Sequence, residues 1–343
     1  MNNRLREFRQ ARNWTQAELA ERSGVPRSTI AAIEQARLTP SVQIALQLAH
    51  SLECAVEDLF GADREAEPDW AWPPAKLPCG FWWASVAGKT LAYPAEPHSL
   101  AFLAPDGWYD RRIHTFFREQ AAGTLALASC DPVAGLLSGY LWVQSGVRLL
   151  SFPRNSRTAL ELLAAGRIHV AGIHLAGATE PDGHAPWIRK TLGRGWRLLP
   201  AAVWQEGVAF RPGNFRNPAR DLEAPGVRWV RREPGSGAYR CQADLLGEDR
   251  DYSLPARDHW ETARIIRHGG ADAGVCHRFV AEQAELEFFP LREERYDLCY
   301  PESLAEDPRI RSLRRTLAGN EYRASLAQLP GFAPPAHQEE IRL

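Results

Sequence analysis

Two long extended stretches, "WRLLPAAVWQEGVAFRPG" and "LEFFPLREERYDLCYP", interrupt the second half of this chain near residues 196–212 and 286–300. Around them, short apolar runs alternate with runs of helical spacing. "GTLALAS", "VRLLSF" and "IHVAGIHLA" read as buried strands, separated by helices in "DPVAGLLSGYLWVQSG" and "SRTALELLAAG". After the first long stretch come a strand in "GVRWV", helices in "SGAYRCQADLLG" and "HWETARIIRHGG", a strand in "ADAGVC" and a helix in "HRFVAEQA". The run "RIRSLRRTLAGNEYRASLAQL" closes the pattern as helix. Strands alternating with helices imply a largely parallel α/β sheet. Two groups of such units around two long extended segments imply two α/β lobes joined by two crossing strands. Open α/β sheets bind ligands at the carboxyl ends of their strands, and a cleft between two lobes can close on one.

At 343 residues the chain exceeds the usual size of one domain. Its charges nearly cancel, to −1. No global basic field therefore exists for nucleic acid, and any DNA contact has to come from a local patch. The cysteines at 54, 79, 130, 241, 276 and 299 lack CxxC spacing, which argues against a disulfide scaffold and a zinc ribbon. The first residues carry no apolar signal region, and no apolar run is long enough to span a bilayer. The expectation is a cytoplasmic protein with reduced thiols and no membrane partner.

The first sixty residues are dense in helix signals. Thr15 and Glu18 have the spacing of a capping box, and Gly24 suits the left-handed end of the helix they open. Pro26 suits the first turn of the next helix, whose Ile30 and Ile33 face inward. Pro40 and Ser41 open a fourth helix, and Val56, Leu59 and Phe60 close the bundle. Two short helices joined by a tight glycine-containing turn describe a helix-turn-helix. The stretch "TQAELAERSGVPRSTIAAIEQARLTPSVQIALQLAHSL" resembles the Cro-like, XRE family of regulators, with Ala20, Gly24, Ile30, Ile33, Glu34 and Pro40 where that family has such residues. The resemblance implies a recognition helix near Pro26 to Glu34. Arg27, Ser28 and Ala32 would then meet base edges, while Gln16, Thr29, Gln35 and Arg37 meet phosphates. Residues 1–40 hold seven arginines against four glutamates, a local positive patch that suits phosphate. The plainer alternative is a helical bundle used for protein contacts.

Residues 61–110 read as a linker with a small β element. "GADREAEPDWAWPPAKLP" is rich in acid, Pro and Gly, and "GFWWASVAGKTLAYPAEP" suggests a hairpin turning at Ala87, Gly88 and Lys89 that docks on a neighbouring domain. Residues 111–330 then form the α/β domain, and 331–343 a C-terminal tail. The segments "ASCDPVAGLL", "NSRTALELLAAGRIHVAGIHLAG", "REPGSGAYRCQADLLG" and "GGADAGVCHRFVAEQAELEFFPLREERYDLCYP" together resemble the type-2 periplasmic-binding-protein-like domain, related to molybdate-type binding proteins. The fold class expected is thus multidomain: an all-α helix-turn-helix bundle followed by an α/β two-lobed domain.

Segments at strand ends should line the cleft. They are Ser129, Cys130 and Asp131; Asn155, Ser156 and Arg157; His174; Gly235, Ser236 and Gly237; and Cys276 with His277. Helix N-termini offer unpaired N–H groups to anions, and the serine hydroxyls add donors, although simple N-capping explains each serine alone. Relatives tend to read Gly-Ser-Gly-Thr-Arg where this chain has Gly-Ser-Gly-Ala-Tyr-Arg. Ala238 loses a hydroxyl, Arg240 arrives about 100° further round the helix, and Tyr239 takes the vacated place. That departure argues against a molybdate-like oxyanion and leaves room for a larger or aromatic anionic ligand.

The alternative is a metal- or thiol-redox sensor, with Cys130, His174, Cys276 and His277 converging and Cys241 nearby. Against it, free cysteines are commonly small buried apolar residues. No Ser-His-Asp spacing, P-loop, GxGxxG or HExxH is present. Glu293 and Glu294 beside Arg292 and Arg295 read as a surface or interlobe ion-pair set. The sequence therefore points to a non-enzymatic, sequence-specific regulator of a double-stranded DNA operator, controlled by a small, anionic ligand. It is expected as a homodimer, with neither a cofactor nor a resident metal.

Overall fold

A computed structural model describes residues 3–60, 68–96, 103–178, 180, 182–222, 224–247, 252–337 and 339–343. The linker residues 61–67 lie outside the described residues. The chain divides into two compact units, one of residues 1–68, 76–79 and 107–115, the other of 69–75, 80–106 and 116–343.

Five helices build the first unit: α1 (Leu5–Ala11), α2 (Gln16–Ser23), α3 (Arg27–Glu34), α4 (Val42–Ser51) and α5 (Val56–Phe60). Thr15 caps α2 in a reciprocal box with Glu18, and Ser41 caps α4. Each such cap contributes about 1 kcal/mol. Gly24 ends α2 at φ 68°, a left-handed conformation that costs other residues strain. Leu5, Leu19, Ile30, Ile33, Leu48 and Leu59 fill one core. Over it lies a buried ion pair, Arg9 Nε to Glu34 Oε1 at 2.6 Å. Ahead of the second unit's sheet along the chain are β1 (Cys79–Val86) and β2 (Lys89–Pro94), then β3 (Gly107–Tyr109) and β4 (Ile113–Thr115). Each pair is an antiparallel hairpin.

The second unit holds a ten-stranded sheet. Its first lobe uses β5 (Thr124–Ser129), β6 (Arg148–Pro153) and β7 (Val170–Gly177), joined through α6 (Ala134–Ser145) and α7 (Ser156–Ala164). After α8 (Ala185–Leu192), β8 (Trp196–Phe210) crosses into the second lobe. That lobe uses α9 (Pro218–Asp221), β9 (Trp229–Arg232), α10 (Gly237–Leu246), β10 (Tyr252–Ala256), α11 (His259–Arg267), β11 (Ala273–His277) and α12 (Arg278–Gln283). The chain returns along β12 (Glu287–Pro301) and ends with α13 (Pro308–Ala318), α14 (Asn320–Ala327), β13 (Phe332–Ala333) and β14 (Ile341–Arg342). The strand order is β10-β9-β11-β8-β12-β7-β5-β6. Within each lobe the strands run parallel. β8 and β12 pair antiparallel from Phe210 with Glu287 to Trp196 with Pro301, so both belong to both lobes.

Three details depart from the sequence reading, and a fourth agrees with its docked hairpin. The final helix breaks at Gly319, which adopts an extended ψ of 139° and separates α13 from α14. α8 and β10 are additional elements. α8 carries its own signals, a Pro in its first turn and Gly193 at its end. Residues of the expected tail pair with β8, Ile341 opposite Leu198. Hairpin residues Trp82, Leu91 and Tyr93 share one core with Ala126, Phe152 and Leu160.

A buried ion pair anchors that hairpin. Arg148 on β6 grips Asp106 at 2.6 and 2.7 Å and also donates to Trp83 O and Thr124 Oγ1, while Asp106 accepts the Trp83 N–H. Removing one partner strands a buried charge. Asp106→Ala should therefore cost about 3–5 kcal/mol, read as a lower urea midpoint. An unchanged midpoint would show that the pair contributes nothing net.

Candidate functional site

The crossing strands carry a buried polar cluster between the lobes. His174 on β7 presents Nδ1 to Glu294 Oε2 at 2.8 Å and Nε2 to Cys130 Sγ at 2.7 Å. Cys130 occupies the turn just after β5. Glu294 on β12 also accepts Arg292 Nε at 2.7 Å and Trp204 Nε1 at 3.4 Å. Trp204 lies edge-on to His174 and stacks on Tyr296. Burial works to lower the His174 pKa, but the Cys130 thiol and the Glu294 carboxylate outweigh it and hold it well above the usual imidazole range. Burial likewise works to raise Glu294, yet its bonds to His174 and Arg292 hold it below the usual carboxylate range.

Across from these groups, the second lobe supplies two histidines whose tautomers its backbone dictates. The His277 N–H donates to His259 Nδ1 at 3.1 Å, and the Phe279 N–H donates to His277 Nδ1 at 2.9 Å. A neutral imidazole that accepts at Nδ1 carries its proton on Nε2. Both rings are neutral: burial, with nearby positive charge, holds His259 well below its usual range, and burial brings His277 down to about 3. Each therefore offers a buried Nε2–H, and among the described residues neither Nε2 has a partner. The same holds for Arg232 Nε on β9, whose Nη1 is held by Thr262 and Val275 O.

Ligating atoms of Cys130, His174 and His259 lie within 4.8 Å of one another, as do those of His174, Glu206 and Glu294. This geometry resembles a metal centre, but His259 has no free lone pair for a metal: Nδ1 accepts the His277 N–H and Nε2 carries the proton. Glu206 on β8 is fully buried, and among the described residues neither oxygen has a partner. Burial and the neighbouring Glu294 push its carboxyl up to about 7.

The residues expected from the sequence fall in several places. Cys130 and His174 come together as described. Ser129 Oγ meets Tyr296 OH and accepts the Asp131 N–H, while Asp131 accepts the Val133 N–H. Ser156 Oγ accepts the His174 N–H, and Asn155, rather than Ser156, caps α7. Asn155 also donates to Glu233 across the cleft at 2.8 Å. Ser236 caps α10 by accepting the Tyr239 N–H. A Cβ on Gly235 would approach the exposed Arg157 at 3.3 Å, and one on Gly237 would sit 2.3 Å from His174 O. Arg240 reaches Leu175 O at 3.0 Å. Cys276 does not join Cys130. It donates to His259 O and lies in the apolar core of the second lobe.

Sequence reasoning missed His259, Glu206, Arg232 and Trp204, and it left Arg292 and Glu294 in an ion-pair set. The available signal was period two on an extended strand: Arg292, Glu294 and Tyr296 share a face, and so do Trp204 and Glu206.

In the helical unit, Arg27, Ser28, Gln35 and Arg37 are exposed, and Thr29 and Ala32 are half-buried. Gln16 Nε2 donates to Glu34 Oε2 at 2.9 Å, so the Arg9–Glu34 pair holds its amide in place.

Comparison with known proteins places both segments. Residues 141–318 match the PBP superfamily domain, and residues 5–59 match a helix-turn-helix family. The chain is 26% identical over 189 residues to the uncharacterized protein YvgK of Bacillus subtilis, covering 52% of this chain but only 61% of that protein. Its N-terminal segment is 42% identical over 65 residues to an uncharacterized HTH-type transcriptional regulator of Archaeoglobus fulgidus, covering 19% of this chain and 92% of that one. Among solved structures, lipoprotein Tp32 from Treponema pallidum aligns with a TM-score of 0.44 at 17% identity, over 62% of this chain and 98% of that one. No helix among the described residues is long and apolar enough to cross a membrane. With one family model spanning more than half the chain and the other its first helices, this chain belongs to the PBP superfamily and carries a helix-turn-helix domain at residues 5–59.

Proposed function

We propose that this protein is a transcriptional regulator, that it binds a small anion between the two lobes and that the bound anion controls its affinity for an operator in the cytoplasm. The observation that carries the reading is the pair of buried, unpartnered Nε2–H donors on His259 and His277. A buried donor left without an acceptor costs about 1–3 kcal/mol, and an anion from solvent would remove that cost. Arg232 Nε adds a third donor, and Glu206, protonated up to about pH 7, adds a fourth. A set of donors suits an acceptor ligand and opposes a cation. The ligand shifts the lobes only by its differential affinity for open and closed forms.

On the same reading, residues 1–60 are the DNA-binding domain, 61–110 the connection, 111–330 the sensing domain and 331–343 its tail. Two copies would pair to span two half-sites, with no catalysis at the cleft. Arg27 and Ser28 would read bases, with Ala32 beside them, and Gln16, Thr29, Gln35 and Arg37 would meet phosphate. Around the anion, the turns holding Ser129, Asp131, Asn155, Arg157, Gly235 and Tyr239 would form the rim.

A thermal-shift series with phosphate, sulfate, molybdate, benzoate, citrate and zinc tests the ligand class. Stabilisation by one or more anions, weakened about tenfold or more in affinity by His259→Phe, is the expected result. Stabilisation by zinc alone would sink the anion reading in favour of a metal sensor. For the DNA module, Arg27→Ala should cost about 1–3 kcal/mol and relax sequence preference, whereas Arg37→Ala should weaken all sequences alike and lower the salt slope by about 1. Binding titrations across salt distinguish the two.

Glu206 also predicts a pH dependence. Its folded pKa of about 7 exceeds the ordinary 4.5, so the folded state holds the proton more tightly than the unfolded chain. Its stabilising contribution is complete below about pH 4.5 and is lost as pH rises to about 7. Glu206→Gln should remove that loss. The melting temperatures of parent and variant should stay offset by a constant amount below pH 4.5 and shift in the variant's favour as pH rises to 7. Curves parallel across the whole range would refute the buried-acid assignment.

A further inference from the structure

The cluster contains an arrangement that binding alone does not use. Cys130 Sγ, His174 and the Glu294 carboxylate form a continuous chain of 2.7 and 2.8 Å contacts. A thiol beside an imidazole that a carboxylate orients through its other nitrogen is the arrangement of an activated nucleophile. Glu294 fixes the tautomer: as acceptor it leaves the Nδ1 proton in place and turns Nε2 to the sulfur. Arg292 and Trp204 fix Glu294 in turn. We propose that Cys130 is a reactive thiolate paired with the His174 imidazolium, and that it reduces a small hydroperoxide and is itself oxidised to a sulfenic acid. This inference stands apart from the anion reading and does not depend on it.

The step balances without a further reagent. The thiolate sulfur attacks the distal oxygen of the hydroperoxide, forming an S–O bond as the O–O bond breaks. The sulfur loses two electrons and the peroxide gains them. The leaving alkoxide takes the proton from His174 Nε2 and departs as alcohol, or as water when the oxidant is hydrogen peroxide. A ring nitrogen of His259 also lies within 4.8 Å of the Cys130 sulfur. Cys130 is half-buried, whereas Cys79, Cys241, Cys276 and Cys299 are buried thiols whose pKa burial raises. Cys54 is equally half-buried, but burial and Asp58 raise its pKa, which makes it an internal control. His174 is charged by its contacts with Cys130 and Glu294. Facing it are neutral His259 and His277, Glu206 and Asp131, whose carboxyl burial raises to about 6, with the charged Arg232 and Arg292 acting on Glu206.

The experiment treats the full-length protein with tert-butyl hydroperoxide in the presence of dimedone and maps the adduct on each cysteine by mass spectrometry. Cys130 should label at least about tenfold faster than Cys54, at a rate nearly flat from about pH 6 to about pH 8, while the Cys54 rate climbs with pH. Glu294→Gln, which keeps the volume and removes the carboxylate, should slow Cys130 by about tenfold and restore a rising pH profile without changing Cys54. Glu294 is a positioning residue on this account, and the change in profile separates that role from a purely structural one. Equal labelling of Cys130 and Cys54, or a Cys130 rate that climbs with pH in the parent protein, would overturn the proposal. The parent profile needs no variant to fold.

Discussion

The pairing of β8 with β12 is the constraint on which the rest of the PBP-like domain depends. The two 15-residue strands stay in register contact from one lobe to the other, with shifts at Pro290/Arg292 and Tyr296/Asp297. Backbone hydrogen bonds along so long a ladder make it the stiffest path between the lobes, so lobe motion has to twist or bend these strands at their irregular points. The same strands carry Trp204, Glu206, Arg292, Glu294 and Tyr296. Any movement of the hinge therefore moves the polar cluster, which couples the cleft's chemistry to the domain's shape without an intermediary.

That cluster concentrates ionisable groups where charge is expensive. Six of its members, His174, His259, His277, Glu206, Glu294 and Arg232, are nearly inaccessible. The protein meets the cost in two ways. Backbone N–H groups lock His259 and His277 neutral, and a relay of opposite charges, Arg292–Glu294–His174, pairs the groups that remain ionised. Buried pairs of this kind add little net stability, and replacing them with apolar residues is often neutral. What they supply is orientation: each ring nitrogen has one role. Glu206 fits neither scheme, and so its carboxyl stays protonated at pH values where others ionise.

Much of the architecture is legible in the sequence because local physical chemistry decides it. The Thr15–Glu18 box, the glycine after α2 and the long extended runs are short-range signals, and each corresponds to an element of the fold. The site is less legible because it is assembled by long-range contacts. His174 and Glu294 are 120 residues apart, and nothing near either announces the other. The adjacent Glu293 and Glu294 look alike in sequence, yet the pleat puts the first in solvent and the second at 1% exposure. His259 follows the capping Asp258 and reads as ordinary first-turn composition. Only the fold shows that its ring faces the other lobe's thiol.

The Gly-Ser-Gly turn at 235–237 shows how one motif can answer to several physical demands. A strand, a glycine-rich turn and a helix suggest an anion seat, and the helix is there. Its serine hydroxyl, however, accepts the Tyr239 N–H and donates to Glu233 O, which occupies the group within the turn. Gly237 lacks a side chain where His174 approaches: a Cβ would lie 2.3 Å from its carbonyl oxygen and 2.6 Å from Nδ1. Backbone at that point cannot yield cheaply, so any larger residue would push the lobes apart and draw His174 away from Glu294. Arg292 Nη2 then donates to the Gly237 carbonyl, tying the same peptide to the strand that carries Glu294. The absence of a side chain at residue 237 is thus what allows the second lobe's helix to close on the His174–Glu294 pair, and the turn acts first as the contact point between lobes.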